Sequence, residues 1–119
     1  MKILVCGGRD FADKDFLYNI LDDIIDVNLI IHGGASGADS LAGEWAKKHN
    51  IKCQVFPADW GKYGKSAGPI RNQQMLDEGK PDEVYAFPGG RGTADMIARS
   101  KKAGLKVYEC RSYATQCRF

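Results

Sequence analysis

The chain has 119 residues, of which 44% are hydrophobic, and these values fit one ordinary domain over residues 1–119. Seventeen basic and fifteen acidic residues give a formal net charge of +2 with no block of like charge, so composition alone does not argue for nucleic-acid binding. The first apolar run stops at Gly7, too early for a signal peptide or a membrane span. We therefore expect a cytoplasmic protein without membrane contact.

Five short apolar runs rich in β-branched residues predict the strands of a buried sheet. They cover residues 3–6, 29–32, 53–56, 84–87 and 107–110. Segments of helical period lie between them, so strand alternates with helix along the chain.

The first helical segment follows Asp13, a candidate N-cap. Its apolar face comprises Phe16, Ile20, Ile24 and Ile25. The second helix is predicted over residues 38–49, with a core-facing side made of Leu41, Ala42, Trp45 and Ala46. The third begins at Pro69, a residue favoured at the first helical position, and continues toward Gly79. The fourth covers residues 93–103.

This alternation predicts the fold class. Strands joined through helices by short connections require right-handed crossovers, which give a mainly parallel sheet covered on both faces. We therefore expect an α/β, three-layer Rossmann-like domain with a five-stranded sheet. Residues 111–119 have no clear period, and the sequence does not decide between a mobile tail and an added edge element.

The four cysteines show neither close pairing nor the spacing of a metal site. They are Cys6, Cys53, Cys110 and Cys117. Three of them end or interrupt strand-like runs, so we interpret them as buried, reduced thiols and expect no metal ion.

Three strand-to-helix loops are rich in glycine, and in a parallel sheet such loops gather at the carboxyl edge of the strands. They read Gly-Gly-Arg-Asp at residues 7–10, Gly-Gly-Ala-Ser-Gly-Ala-Asp at 33–39 and Pro-Gly-Gly-Arg-Gly-Thr at 88–93. Glycine lets backbone N–H groups approach an anion closely, and Arg9 and Arg91 add forked donors for phosphate. Ser36 and Thr93 stand where an N-cap or a phosphate contact is expected. The loops match neither a Walker A motif nor a dinucleotide fingerprint.

The loop over residues 57–68 contains aromatic and basic side chains outside any regular period. Trp60 or Tyr63 could stack on a base, and Lys62, Lys65 or Arg71 could meet a phosphate. The alternative interpretation of Trp60 is a packed anchor of the loop.

Simpler roles also explain four polar residues near these loops. Asp39 lies three residues after Ser36, as in a helix-capping arrangement, and Asp10 could cap the first helix. His32 at a strand end is typical of a packed, hydrogen-bonded histidine. Asp95 falls in the first turn of the fourth helix, where the helix dipole favours a carboxylate.

Together the motifs resemble the YspA-like branch of the SLOG superfamily. The resemblance runs from Lys2 to Val107 and includes His-Gly-Gly-Ala-Ser-Gly-Ala-Asp at 32–39, Ala-Asp-Trp at 58–60, Ala-Gly-Pro-Ile-Arg-Asn at 67–72 and Phe-Pro-Gly-Gly-Arg-Gly-Thr-Ala-Asp-Met at 87–96. It implies a Rossmann-like fold with a nucleotide-type pocket, in proteins of bacteria and phages that sense or process nucleotides and nucleotide-derived signals.

Lonely Guy phosphoribohydrolases of the same superfamily place a catalytic glutamate where this chain has Met96. A thioether can neither activate water nor stabilise an oxocarbenium-like charge, so the substitution argues against hydrolysis. If the chain is an enzyme, the resemblance implies a nucleotide N-glycosidase in which Arg71 holds phosphate or leaving group. Asp39 or Asp95 would then polarise water.

We expect the protein to bind or sense a phosphate-bearing, nucleotide-like molecule. The predicted ligand-binding residues are Gly7, Gly8, Arg9, Gly33, Gly34, Ser36, Asp39, Trp60, Arg71, Asn72, Gly89, Gly90, Arg91, Gly92 and Thr93. The alternatives are an N-glycosidase and a single-stranded nucleic-acid binder, the second disfavoured by the small charge. No cofactor is expected, and the ligand's identity and a homo-oligomeric state stay open.

Overall fold

The computed structural model describes residues 1–111. Its five strands are β1 (Lys2–Cys6), β2 (Leu29–His32), β3 (Lys52–Val55), β4 (Glu83–Ala86) and β5 (Lys106–Glu109). They form one all-parallel sheet in the order β3-β2-β1-β4-β5, which confirms the predicted fold class. The predicted tail, apart from Arg111, lies outside the described residues, as does Cys117.

Helices cover both faces of the sheet, in three layers. They are α1 (Lys14–Asp22), α2 (Ala38–Lys48), α3 (Trp60–Tyr63), α4 (Ala67–Gln74) and α5 (Arg91–Lys102). Alternate residues of β1 point to opposite faces, so Ile3 and Val5 pack with α1 and α2, whereas Leu4 lies in a second core cluster with residues of α5 and the turn after α4. The central strand is therefore buried on both sides, as its continuous apolar run predicted.

Helix α1 is capped as expected but is shorter than predicted. The Asp13 side chain accepts the Phe16 N–H at 3.2 Å. The helix ends at Asp22, and a run of carboxylates at a helix C-terminus opposes the helix dipole. Its buried face therefore centres on Leu17 and Leu21, and Ile25 beyond the helix is 77% exposed.

Helix α2 begins at Ala38 as predicted and α5 begins two residues earlier than predicted, at Arg91, but the N-caps of both helices differ from the prediction. Their N-cap residues are Gly37 and Gly90, and neither helix has a side-chain capping bond. The hydroxyls of Ser36 and Thr93 thus do not cap these helices. The first N–H groups of α5 are left without intrahelical acceptors.

The segment after β3 is more helical than expected. Asp59 caps α3 by accepting the Lys62 N–H at 3.0 Å, a 3₁₀ turn follows over Gly64–Ser66, and α4 begins at Ala67. Pro69 is then the third residue of α4, where its missing N–H still removes no helical bond. A π turn over Met75–Gly79 completes the helix.

The cysteine prediction is correct for two of the three described thiols. Cys6 and Cys110 are buried and free, but Cys53 is exposed because it lies on the edge strand β3. Between residues 1 and 111, no cluster of three or more His, Cys, Asp or Glu could hold a metal ion. No helix in that range is both long and apolar enough to cross a bilayer.

Candidate functional site

The candidate site lies where the sheet reverses its winding. Strands β1 and β4 are neighbours, yet the chain leaves β1 toward α1 on one face and leaves β4 toward α5 on the other. Loops that diverge in this way leave a crevice at the carboxyl ends of the two strands, which is where open α/β sheets bind ligands.

A cavity of about 660 Å³ occupies this crevice. Many of the sequence-predicted residues line it, namely Gly7, Gly8, Arg9, Asp39, Trp60, Arg71, Asn72, Gly90, Arg91, Gly92, Thr93 and Asp95. The structure therefore brings together residues from the loops after β1, β2, β3 and β4. The volume of this cavity falls within the range of small-molecule pockets.

Four predicted residues lie elsewhere. Gly33, Gly34 and Ser36 border a second, smaller cavity of about 260 Å³, and Gly89 borders neither cavity. The two cavities share part of their walls, and the shared residues are Arg9, Ala35, Trp60 and Arg71.

The loop after β2 uses its N–H groups internally. The Asp39 carboxylate accepts the N–H of Gly33 at 3.0 Å and of Ala35 at 3.3 Å. The Gly34 N–H donates to His32 Nδ1 at 3.0 Å. These three amides are therefore committed to holding the loop, and the glycines here shape the turn rather than offering donors to a ligand.

His32 and Asp39 are both buried beside Arg71. Burial lowers the pKa of His32, and the nearby Arg71 charge lowers it further, so His32 is neutral with Nδ1 as an acceptor. Burial raises the pKa of Asp39, although the Ala35 and Gly33 N–H groups and the Arg71 charge oppose that shift. His32 is thus a packed, hydrogen-bonded residue, and Asp39 fixes its loop instead of pairing with Ser36.

The loops after β1, β2 and β4 pack directly on one another. Gly8 N–H donates to the Pro88 carbonyl at 2.9 Å, and Ala38 N–H donates to the Gly8 carbonyl at 3.2 Å. Gly37 has φ +76°, and a Cβ there would overlap the Gly8 carbonyl oxygen. Glycine is therefore required at position 37 by both conformation and space.

Arg71 crosses from α4 to the neighbouring loops. Its Nη1 donates to the Gly33 carbonyl at 2.7 Å and to the Phe56 carbonyl at 3.4 Å, and its Nε donates to Asn72 Oδ1 at 3.1 Å. No bond to Nη2 is found within residues 1–111, so two N–H donors of a fixed, planar fork stay available on a residue that lines both cavities.

Asn72 joins α4 to the first turn of α5. Its amide donates to the Gly92 carbonyl at 3.2 Å and to Asp95 Oδ2 at 3.0 Å. Asp95 also accepts Arg99 Nε at 2.8 Å. Burial acts to raise the Asp95 pKa, but the bonds from Arg99 and Asn72 outweigh it and hold that pKa below its ordinary value. Asp95 is therefore an ionised, hydrogen-bonded carboxylate.

The N-terminus of α5 opens onto the large cavity. Residues Gly90 to Thr93 line it, and their helix has no side-chain cap. Free N–H groups and the positive end of the helix dipole make such a terminus attractive to an anion. The Arg91 side chain is exposed beside it.

Trp60 lies at the wall shared by the two cavities, and its ring is 49% exposed. The Arg9 guanidinium carbon lies 5.4 Å from the ring centre, a cation–π distance. This exposure does not fit a packed loop anchor. Tyr63 and Lys62 pair with each other at 5.1 Å and line neither cavity, whereas Lys65 lines the large one.

Sequence reasoning missed the apolar floor of the large cavity. The thiol of Cys6 and the thioethers of Met75 and Met96 are buried there. Burial raises the pKa of Cys6 strongly, with smaller contributions from Asp39 and Cys110, so the thiol is protonated and not a nucleophile. The periodicity of apolar residues in strands and helices identifies such residues as part of the core. It does not indicate that they also border a cavity.

Comparison with known proteins agrees with this architecture. The family model for the YspA, cpYpsA-related SLOG family matches residues 1–63. The Gene 61 protein of Mycobacterium phage D29 is 34% identical over 117 residues, which cover 89% of this chain and 93% of the phage protein. Because the family model matches more than half of the chain, the chain belongs to the YspA, cpYpsA-related SLOG family.

Proposed function

We propose that the protein binds a phosphate-bearing, nucleotide-like small molecule in the large cavity. The observation that carries the proposal is that the uncapped start of α5 lines the same cavity as Arg9, Arg71 and Arg91. Helix N–H groups and guanidinium groups are the donors that phosphate oxygens accept best. Membership of the SLOG family suggests a nucleotide-related role.

Trp60 supports a nucleotide over a bare phosphate ester. Its half-exposed indole ring lies in the cavity wall, where a planar base can stack on it. Met75 and Met96 add an apolar floor, so the cavity combines a charged end with surfaces suited to rings.

The test is isothermal titration with nucleoside monophosphates, ADP-ribose and cyclic dinucleotides. We expect at least one to bind, and Arg91→Ala to weaken that binding about tenfold, the usual effect of losing one charge-assisted contact. Arg111→Ala is the matched control, because Arg111 is exposed, lies 3.7 Å from Glu109 and lines neither cavity. Absence of binding across the panel, or equal losses in both variants, would contradict the proposal.

Mass spectrometry of small molecules released from protein purified without added ligand complements the titration. A retained nucleotide would identify the ligand class directly, because a site with several charge-assisted contacts often keeps its cellular ligand through purification. The Arg91→Ala protein should retain less of the same compound.

A nucleotide N-glycosidase is the second candidate, favoured by one observation. Asp39 is a buried carboxylate of raised pKa in the cavity that also holds the free Arg71 donors. Asp95 is less suited to the role because hydrogen bonds from Arg99 and Asn72 hold its pKa below the ordinary value. Chromatography of the same incubations decides the matter, since hydrolysis releases free base or ribose phosphate and binding leaves the nucleotide intact.

We also propose that the chain acts as one domain in the cytoplasm. The radius of gyration of the described part is 13.2 Å, close to the value of about 13 Å for a compact domain of about 100 residues. The thiols of Cys6 and Cys110 are free, as is usual in a reducing compartment.

A further inference from the structure

The small cavity has the lining of a second anion site. Two basic residues, Arg9 and Arg71, border it together with Ser36 and Trp60, and the Ser36 hydroxyl donates to the Arg9 carbonyl at 3.3 Å. No carboxylate lines it, whereas Asp39 and Asp95 both line the large cavity. The basic side chains of the small cavity are therefore not accompanied by an acidic one in its lining.

The two guanidinium groups form no direct ion pair among residues 1–111, although the Asp39 carboxylate lies near Arg71. Neither forms a salt bridge within the described range, where the ion pairs of arginine are Arg99–Asp95 and Arg111–Glu109. Burial lowers the pKa of Arg71. The nearby Asp39 carboxylate raises it in part and the positive charge of Arg9 lowers it again, so the two guanidinium groups are close enough to repel each other. A bound anion would relieve that repulsion.

The small cavity and the start of α5 lie on opposite sides of β1. The small cavity is bordered by the loops after β2 and β3, and α5 begins after β4. Because β1 lies between β2 and β4, the carboxyl ends of those two strands are two spacings apart, roughly 10 Å. Two phosphates on different positions of a sugar lie farther apart than the two phosphates of a pyrophosphate, which share one oxygen, and so match this separation better.

We propose that the ligand carries two phosphate groups on different positions of its sugar portion. One is held at the start of α5, and the other is held by Arg9 and Arg71 at the small cavity. The inference rests on the proposed function and narrows its ligand class to nucleotides with separated phosphates, such as a nucleoside 3′,5′-bisphosphate.

The test is titration with the 5′-monophosphates, 5′-diphosphates and 3′,5′-bisphosphates of the four common ribonucleosides. For the preferred base, the 3′,5′-bisphosphate should bind at least tenfold more tightly than the monophosphate and the diphosphate. Equal affinity for the monophosphate and the bisphosphate, or a preference for the diphosphate, would overturn this inference and leave the proposed function standing. If none of these nucleotides binds, this inference fails, and the proposed function fails with it only if ADP-ribose and the cyclic dinucleotides do not bind either.

Ser36→Asp locates the second phosphate. Ser36 is exposed and borders only the small cavity, so the added carboxylate should repel the phosphate held there. We expect about tenfold weaker binding of the bisphosphate and no more than about threefold weaker binding of the monophosphate.

Ser40→Asp is the matched control, because Ser40 is exposed on α2 and borders neither cavity. It introduces the same charge and should leave both affinities unchanged. Circular dichroism confirms that each variant is folded. If Ser36→Asp weakened the binding of the bisphosphate and of the monophosphate equally, the placement of the second phosphate at the small cavity would be wrong.

Discussion

Asn72 shows how one buried side chain can set the shape of the site. It is 5% exposed, and its amide accepts from Arg71 while donating to Gly92 and Asp95. Because a guanidinium only donates, the amide orientation is fixed by its neighbours. Asn72 therefore fixes the position of the Arg71 guanidinium relative to the start of α5.

We predict that Asn72→Ala destabilises the protein and weakens ligand binding. Three hydrogen bonds are lost at about 1 kcal/mol each, so the free energy of unfolding should fall by about 3 kcal/mol. Urea denaturation measures the change, and titration with the nucleotide that binds wild type measures the second effect.

Gln74→Ala is the control for Asn72→Ala. Gln74 lies in the same helix, and its amide makes no hydrogen bond with any residue up to 111. It should lower stability by less than about 0.5 kcal/mol. Similar losses in the free energy of unfolding of the two variants would show that the Asn72 hydrogen bonds do not contribute to stability.

For single residues, the sequence indicates which side chains belong to the candidate site better than it indicates what each of them does there. Arg71, Asn72 and Asp39 could be selected from motifs, but the bonds from Asp39 to Gly33 and from Asn72 to Asp95 join residues of different loops or helices. Spacing along the chain predicts local caps and periods, and it contains no information about such tertiary partners.

Among the elements, the loop between β2 and α2 is the one whose conformation and packing depend most on its backbone. Gly37 turns the chain with φ +76°, and it packs against the backbone of the loop after β1. The same turn brings Ala38 within hydrogen-bonding distance of the Gly8 carbonyl. The start of α2 is thereby fixed to the centre of the sheet.

We predict that Gly37→Ala costs about 2–4 kcal/mol of stability. A left-handed conformation costs a residue with a Cβ about 1–2 kcal/mol, and the overlap with the Gly8 carbonyl adds a comparable amount. Gly104→Ala separates the two effects, because Gly104 has φ +82° and open space around it. It should cost only about 1 kcal/mol. Thermal unfolding measures both, and equal losses would rule out the steric contribution.

Long amphipathic helices were predictable, and the segment after β3 was not. Apolar period locates α2 and α5 within a few residues. Helix α3 has four residues, too few for a period, so only its cap at Asp59 could have indicated it. The early end of α1 depends on charges at its C-terminus, which an apolar pattern does not register.

For the molecule as a whole, topology decides where the site lies. Alternation of strand and helix predicts a parallel sheet, but strand order sets which loops meet. In this chain the order β3-β2-β1-β4-β5 makes the loops after β1 and β4 neighbours. The sequence therefore predicted that the site lies at one edge of the sheet. The small cavity, which shares the Trp60 wall, could be recognised only in the folded structure.

We predict that stability falls as the pH drops below about 6.5, the ordinary pKa of histidine. Burial lowers the pKa of His32 in the folded state, so below that pH the unfolded chain binds a proton that the folded chain excludes. Stability is fully present above pH 6.5 and is lost on acidification. Asp39 acts in the opposite sense, because its pKa is raised.

Melting temperatures between pH 7.5 and 5.5 test this dependence. His32→Asn keeps an acceptor for the Gly34 N–H and cannot titrate, so its melting temperature should change less over that range. An equally steep change in the variant would assign the effect to other groups.

Strand β1 is synthesised first but lies in the middle of the sheet. Ile3 is paired with Glu83, so the second neighbour of the central strand leaves the ribosome only after the residues up to 83 have been made. Long-range parallel pairing of this kind forms slowly. A nascent chain therefore has no ligand cavity until β4 and the start of α5 have been synthesised, and until then β1 has one edge unpaired, a state open to chaperones and to aggregation.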